Sequence, residues 1–228
     1  HLGAWVLRTA CKHLRGWIDA GLSGFEVSVN VSAAQMQRPT FVADVSQILS
    51  ETGIDPVMLQ LELTESVLMD NAERAAEQMQ QLNKLGVQIA LDDFGVGYSS
   101  LSYLRQFPIK RLKIDQSFIA NITEDGKDAA LVRAMIAIGH HLGMRVVAEG
   151  VETAAQSSYL RRSHCDELQG FHFSQAVPAS SVPDLLRHRY ATRDDHTQAE
   201  PLRTLLLLDD EENVLRSLTR LFRRDGYS

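Results

Sequence analysis

An α/β fold built on a parallel sheet, closing into a barrel rather than remaining open, is what this sequence predicts, and three observations carry the prediction. Short apolar, β-branched runs alternate with longer amphipathic stretches, the pattern of repeated βα units. Gly53, Gly86 and Gly143 stand just past the apolar pattern of three predicted helices, where a left-handed residue ends a helix. Acidic residues fall at the C-terminal ends of the predicted strands, the edge on which barrels build their sites.

The elements follow in order. The chain opens in a helical pattern through Leu2, Trp5, Val6, Leu7, Leu14 and Trp17. Seven strand-like runs come before residue 180: Phe25–Val31, Leu59–Leu63, Val87–Leu91, Arg111–Ile114, Arg145–Ala148, Cys165–Leu168 and Phe171–Ser174. The last two lie too close together to enclose a helix, so one of them is expected to be a loop. Helices are predicted over Phe41–Thr52, Ala72–Leu85 and Ala129–Leu142. Residues 190–203 break the pattern with polar, charged and Pro residues and read as a linker. A new βα unit then begins, with Leu205–Leu208 as the strand, Asp209 and Asp210 at its end, and Leu215, Leu218, Leu221 and Phe222 as a helical stripe. A short amphipathic tail is the alternative for this segment. Opening without Met and closing just after a helix, the chain is expected to be part of a longer protein.

Composition narrows the function. Apolar residues make up 44% and charged residues 23%, the balance of a globular protein with a sizeable core. A net charge of -6 argues against a duplex nucleic-acid surface, which needs clustered Lys and Arg. No apolar run approaches the ~20 residues that span a bilayer. Cys11 and Cys165 form no CxxC pair and no secretory leader is visible, so a cytoplasmic location is expected.

Taken singly, each of these polar residues has an ordinary reading. Asp92-Asp93 followed by Gly95 fits a solvated turn; Glu62 and Asn30 fit surface or strand-end positions; Glu149 and Glu152 fit the start of a helix, whose dipole favours negative charge. Together they read differently. Two carboxylates ~4 Å apart repel by about 4 kcal/mol at an effective dielectric near 20. Lys113, in the apolar run Leu112–Ile114, must reach water or carboxylates, because an unpaired buried ammonium costs several kcal/mol. If Glu62, Asp92, Asp93, Glu149 and Glu152 converge on Lys113, four negative charges remain uncompensated, and two divalent cations would neutralise them. Oxygen donors without a His or Cys cluster suit hard ions such as Mg²⁺ or Mn²⁺, and a two-metal site implies phosphodiester hydrolysis.

Six segments carry a resemblance: VNVSAAQ at 29–35, LELTES at 61–66, LDDFGVGYSSLSYL at 91–104, LKIDQSFI at 112–119, VVAEGVET at 146–153 and LQGFHFS at 168–174. In this order and spacing they resemble the signatures of EAL phosphodiesterases. The resemblance implies a modified TIM (β/α)8 barrel over residues 1–189 and metal-dependent opening of cyclic di-GMP to linear pGpG, with a catalytically inactive cyclic di-GMP sensor as the alternative. It implies Asn30, Glu62, Asp92, Asp93 and Glu149 as ligands of two Mg²⁺ or Mn²⁺ ions. Lys113, Glu149 and Glu152 take the catalytic roles, Gln169 and Asp115 contact substrate, and Glu65 anchors the loop that carries the Asp pair. The family's antiparallel first strand, with its metal-binding Glu and a substrate-binding Arg, is absent from this chain. Gln175-Ala176-Val177-Pro178 replaces a basic residue and Pro at the other end. Residues 204–228 resemble the start of a doubly wound response-regulator receiver domain, with Asp209 and Asp210 as its acidic Mg²⁺ pair, which implies a histidine-kinase phosphodonor. Homodimer formation is a further family trait.

Overall fold

The structure, a computed structural model, describes residues 2–65, 67, 72–97, 104–191 and 204–208. Helix α1 (Leu2–Asp19) precedes strand β1 (Phe25–Asn30), and α2 (Ala33–Met36) and α3 (Phe41–Thr52) follow. Strand β2 (Leu59–Thr64), α4 (Ala72–Leu85), β3 (Gln88–Phe94), β4 (Arg111–Ile114), α5 (Gln116–Ile119), α6 (Gly126–His141), β5 (Arg145–Ala148), α7 (Ala154–Arg162), β6 (Glu167–Leu168), α8 (Val182–Ala191) and β7 (Thr204–Leu208) complete the order.

The local chemistry explains the boundaries. Gly53, Gly86 and Gly143 all have positive φ, the conformation a glycine adopts most easily after a helix. Helix α6 begins three residues before the predicted start because the Asp125 side chain accepts from the Lys127 backbone N–H at 2.7 Å and caps it. Helix α7 carries a capping box between Thr153 and Gln156. Phe171–Phe173 is a turn and not a strand, so of the two closely spaced runs it is the first that pairs, through Glu167–Leu168 against β5.

All pairings are parallel, in the order β6-β5-β4-β3-β2-β1-β7. The strand Thr204–Leu208 therefore lies beside β1 in this sheet and not in a sheet of its own. Pairing at an edge is what strand physics favours, since an unpaired edge exposes a row of backbone donors and acceptors. Asp209 and Asp210 lie outside the described residues.

Strands β1 and β2 each have two buried faces of opposite character. Val27, Val29, Leu61, Leu63, Ile89 and Leu91 belong to the apolar core shared with the helices. Each Val or Leu so buried contributes roughly 1.5–3 kcal/mol. Alternating with them, Ser28, Gln60 and Glu62 are also buried, and Arg111 on β4 shows why. Its guanidinium meets Glu26 of β1 at 2.8 Å and Glu167 of β6 at 3.1 Å. Neighbouring strands are ~4.8 Å apart, so in a flat sheet β1 and β4, three steps apart, would be separated by ~14 Å. The sheet is therefore curled into a half-barrel, with the polar residues on its concave inside.

Candidate active site

The C-terminal ends of β2, β3, β4 and β5 deliver four charged side chains to one point. Lys113 Nζ lies 2.5 Å from Glu62 Oε2, 2.7 Å from Glu149 Oε1 and 2.9 Å from Asp92 Oδ1. Its side chain is 1% exposed, so these carboxylates, and not water, balance the ammonium. Burial alone would lower the Lys113 pKa, but Glu62, Glu149 and Asp92 outweigh burial and the pKa is raised. Lys113 is thus a permanent cation under the site.

The carboxylates respond in the opposite sense. Burial pushes Glu149 up to about 8; Lys113 opposes this, and Asp92 and Glu62 add to it. Glu62 is raised for the same first reason, burial, with Lys113 again opposing and Asp92 adding.

Asp92 and Asp93 are adjacent on β3, and strict alternation would send their side chains to opposite faces. Two irregularities bring them together. The β3–β4 register shifts between Leu91 and Phe94, and Asp93 has φ 54°, a left-handed backbone that costs a non-glycine residue energy. Ligand atoms of Asp92, Asp93 and Glu149 consequently lie within 4.8 Å of one another.

This cluster fits a divalent cation on the chemistry of its donors. All are hard oxygens. Lys113 lies 2.9 Å from Asp92 Oδ1, yet outside hydrogen-bonding geometry, leaving that buried oxygen with no hydrogen-bond donor among the described residues. A buried acceptor in this condition is costly unless it is hydrogen-bonded or ligated.

Asn30, at the end of β1, is the register partner of Glu62 on β2. Glu65 Oε1 accepts from the Gly95 backbone N–H at 3.1 Å, which ties the end of β2 to the turn after the Asp pair. A Cβ on Gly97 would meet Glu65 Oε2, the tip of a flexible side chain, which would then have to shift. Gln169 is held beside Glu149 by its backbone: its N–H donates to Ala148 O and its carbonyl accepts from Val151 N–H, both at 2.9 Å. Among the described residues its side-chain Oε1 is buried without a partner, and a Cβ on Gly170 would run into the Val151 backbone, which makes glycine necessary there. Asp115 caps α5, its Oδ1 accepting from the Ser117 backbone N–H at 2.9 Å. Glu152 is exposed and, among the described residues, stands outside the acidic cluster.

Sequence reasoning missed Glu26, Gln60 and Arg111, which lie inside the barrel beneath the site. The signal was the polar alternation Glu26, Ser28, Asn30 and Gln60, Glu62, which marks a solvent face in an open sheet but the interior in a curled one. A surface depression of about 680 Å³ lined in part by Asp125, Arg133, Tyr159 and Arg162 contains none of the acidic rim residues.

The Glu149 shift has a measurable consequence. A carboxyl whose folded pKa lies above its unfolded value stabilises the fold below the unfolded value, and loses that contribution as pH rises through the folded one. The metal-free protein should therefore lose stability between about pH 4.5 and 8. Mn²⁺ affinity should rise over the same window, by up to about tenfold per unit, because the ion displaces the Glu149 proton. Calorimetric Mn²⁺ titrations at pH 6, 7, 8 and 9 check this, and a flat profile would contradict it.

Fold and site together define a parallel α/β half-barrel with a carboxylate-rich, lysine-braced site at its C-terminal rim. The chain belongs to the EAL domain family, whose profile matches residues 1–176. It is similar to the cyclic di-GMP phosphodiesterase NbdA of Pseudomonas aeruginosa, with 42% identity over 90% of this chain and 25% of NbdA. Among solved structures, the complex of the phosphodiesterase PaMucR with c-di-GMP matches with TM-score 0.77 and 42% identity, covering 79% of this chain and 73% of that one. The EAL domain of Mycobacterium smegmatis DcpA matches with TM-score 0.79 and 40% identity, covering 82% and 85%. The chain spans about a quarter of the length of the first curated relatives it matches. Among the described residues, no helix is long and apolar enough to cross a membrane.

Proposed function

We propose that this domain hydrolyses cyclic di-GMP to linear pGpG with Mg²⁺ or Mn²⁺. The observation that carries the reading is the Lys113 ammonium within 2.9 Å of carboxylates at the ends of three other strands, two of which also belong to the cluster Asp92, Asp93 and Glu149. Asn30, Glu62, Asp92, Asp93 and Glu149 would hold the ions. Bound there, divalent cations supply charge neutralisation to the phosphodiester and lower the pKa of a nearby water.

The chain's own residues do the rest. Lys113 fixes the orientation of Glu62, Asp92 and Glu149 and counters negative charge developing on the phosphoryl oxygens. Glu149 accepts the proton of the attacking water. The water oxygen bonds to phosphorus, the bond from phosphorus to the ribose 3′ oxygen breaks, and the proton passes to that oxygen. Gln169, through its unpartnered buried Oε1, and Asp115 contribute polar contacts to the nucleotide. Glu152, on the exposed side of the rim, completes the polar shell.

Residues 1–189 would form the phosphodiesterase domain, 190–203 a linker whose first two residues continue α8, and 204–228 the start of a receiver domain whose acidic pair is Asp209 and Asp210, fed by a histidine kinase. A cytoplasmic homodimer completes the proposal.

Incubating the full-length protein with Mn²⁺ and cyclic di-GMP and separating the nucleotides chromatographically tests the activity. Linear pGpG should accumulate with the wild type and not with Asp92→Asn. Tight cyclic di-GMP binding with no pGpG would instead support a sensor.

A further inference from the structure

We infer that Gln60 is a positioning residue that ties the carboxylate of Glu62 to the ionic floor of the barrel, an inference that rests on Glu62 belonging to a metal site. Its side chain is fully buried one turn of the pleat below Glu62, on the same face of β2. Gln60 Oε1 accepts from an Arg111 guanidinium nitrogen, and Gln60 Nε2 donates to Ser28 Oγ at 2.9 Å and to Glu62 Oε1 at 3.3 Å.

The direction of this chain is fixed by chemistry. A guanidinium only donates and a carboxylate only accepts. Were the Gln60 amide turned over, its NH₂ would face Arg111 and its oxygen would face Glu62, an unfavourable contact at both ends. Arg111 is itself immobilised, with Glu26 at 2.8 Å and Glu167 at 3.1 Å. The buried salt bridges at the floor thus determine which atom of Gln60 points upward, and that N–H holds one oxygen of Glu62 while Lys113 holds the other. With both oxygens tethered, the carboxylate is fixed in rotation before an ion arrives. Support of this kind behind a metal ligand affects affinity by about 10- to 100-fold.

Gln88 supplies an internal control. Its Oε1 also accepts from Arg111, at 3.3 Å, and its Nε2 donates to Val57 O at 2.8 Å, so it belongs to the same floor; none of its hydrogen bonds runs to Glu62. The experiment measures Mn²⁺ affinity calorimetrically, without substrate, for the full-length wild type, Gln60→Met, Gln88→Met and Asp92→Asn, with circular dichroism of each metal-free protein. Methionine matches glutamine in length and packs without leaving a void. The expected result is binding weakened by about 10- to 100-fold in Gln60→Met and within about threefold of wild type in Gln88→Met, both folded. If Gln60→Met does not fold, Gln60→Asn takes its place, since its amide keeps the floor polar but is one methylene too short to span from Arg111 to Glu62.

Wild-type affinity in the folded Gln60 variant, with binding lost in Asp92→Asn, would overturn the positioning role alone. Equal losses in the Gln60 and Gln88 variants would overturn it too, by showing general loosening of the floor. Wild-type affinity in Asp92→Asn would instead remove the metal-site reading beneath it.

Discussion

Replacing Glu149 by glutamine should reduce pGpG formation by at least about 10³-fold, corresponding to ~4 kcal/mol of transition-state stabilisation. Glutamine retains the shape and a hydrogen-bonding oxygen for Lys113, but it cannot accept a proton from water and is a poor ligand for a hard cation. The same change should leave the metal-free fold as stable as the wild type or more so above about pH 8, where wild-type Glu149 is charged among Asp92 and Glu62. Lost activity without lost stability separates a chemical role from a packing one. Single-turnover assays with saturating Mn²⁺, paired with urea denaturation at pH 9, read both quantities. A variant within tenfold of wild-type turnover would remove Glu149 from the reaction.

Lys113→Met should act on both properties. Removing the ammonium leaves the carboxylates of Glu62, Asp92 and Glu149 facing one another in a space that Lys113 now fills with positive charge. Breaking a buried ion pair on one side typically costs about 3–5 kcal/mol. The sign of its pH dependence follows from the carboxyl groups, which escape the repulsion by binding protons. The loss should therefore be greater at pH 9 than at pH 6, and Mn²⁺ should recover part of it by taking over the missing positive charge. Turnover should fall with stability, and added metal should not restore it, since an ion held by the carboxylates does not replace the Nζ donor. Denaturation midpoints at the two pH values, with and without Mn²⁺, provide the check; a variant equally stable at pH 9 would show that Lys113 is not the counter-charge.

Much of the architecture was legible in the residues because local chemistry and tertiary structure agree. Strands β4 and β5 have their predicted bounds, and Phe41–Thr52 and Ala72–Leu85 are helices from end to end. Their apolar periodicity and terminal glycines are signals held within a dozen residues. Four features were not legible, each because it depends on more than the local apolar pattern. Whether Phe171–Ser174 pairs depends on the hydrogen bonds of Gly170 and Val151, which turn the chain there. Whether Thr204–Leu208 begins a sheet or joins one depends on which edge is open to it.

Most instructive is Arg111. At the start of a strand, arginine reads as a residue reaching for solvent, and its burial follows only once curvature brings Glu26 and Glu167 to it from strands on either side. The acids at the rim were visible as a charge imbalance in the sequence. That Asp92 and Asp93 face the same way was not, because it depends on one left-handed residue and one register shift.

The three-way grip of Lys113 also bears on how quickly the site fills. Acceptors already locked in place need no rearrangement when a cation arrives, so the slow event is the shedding of the ion's own hydration water. Mg²⁺ gives up that water reluctantly, and its loading should therefore lag behind that of Mn²⁺ even at concentrations where the two reach equal occupancy.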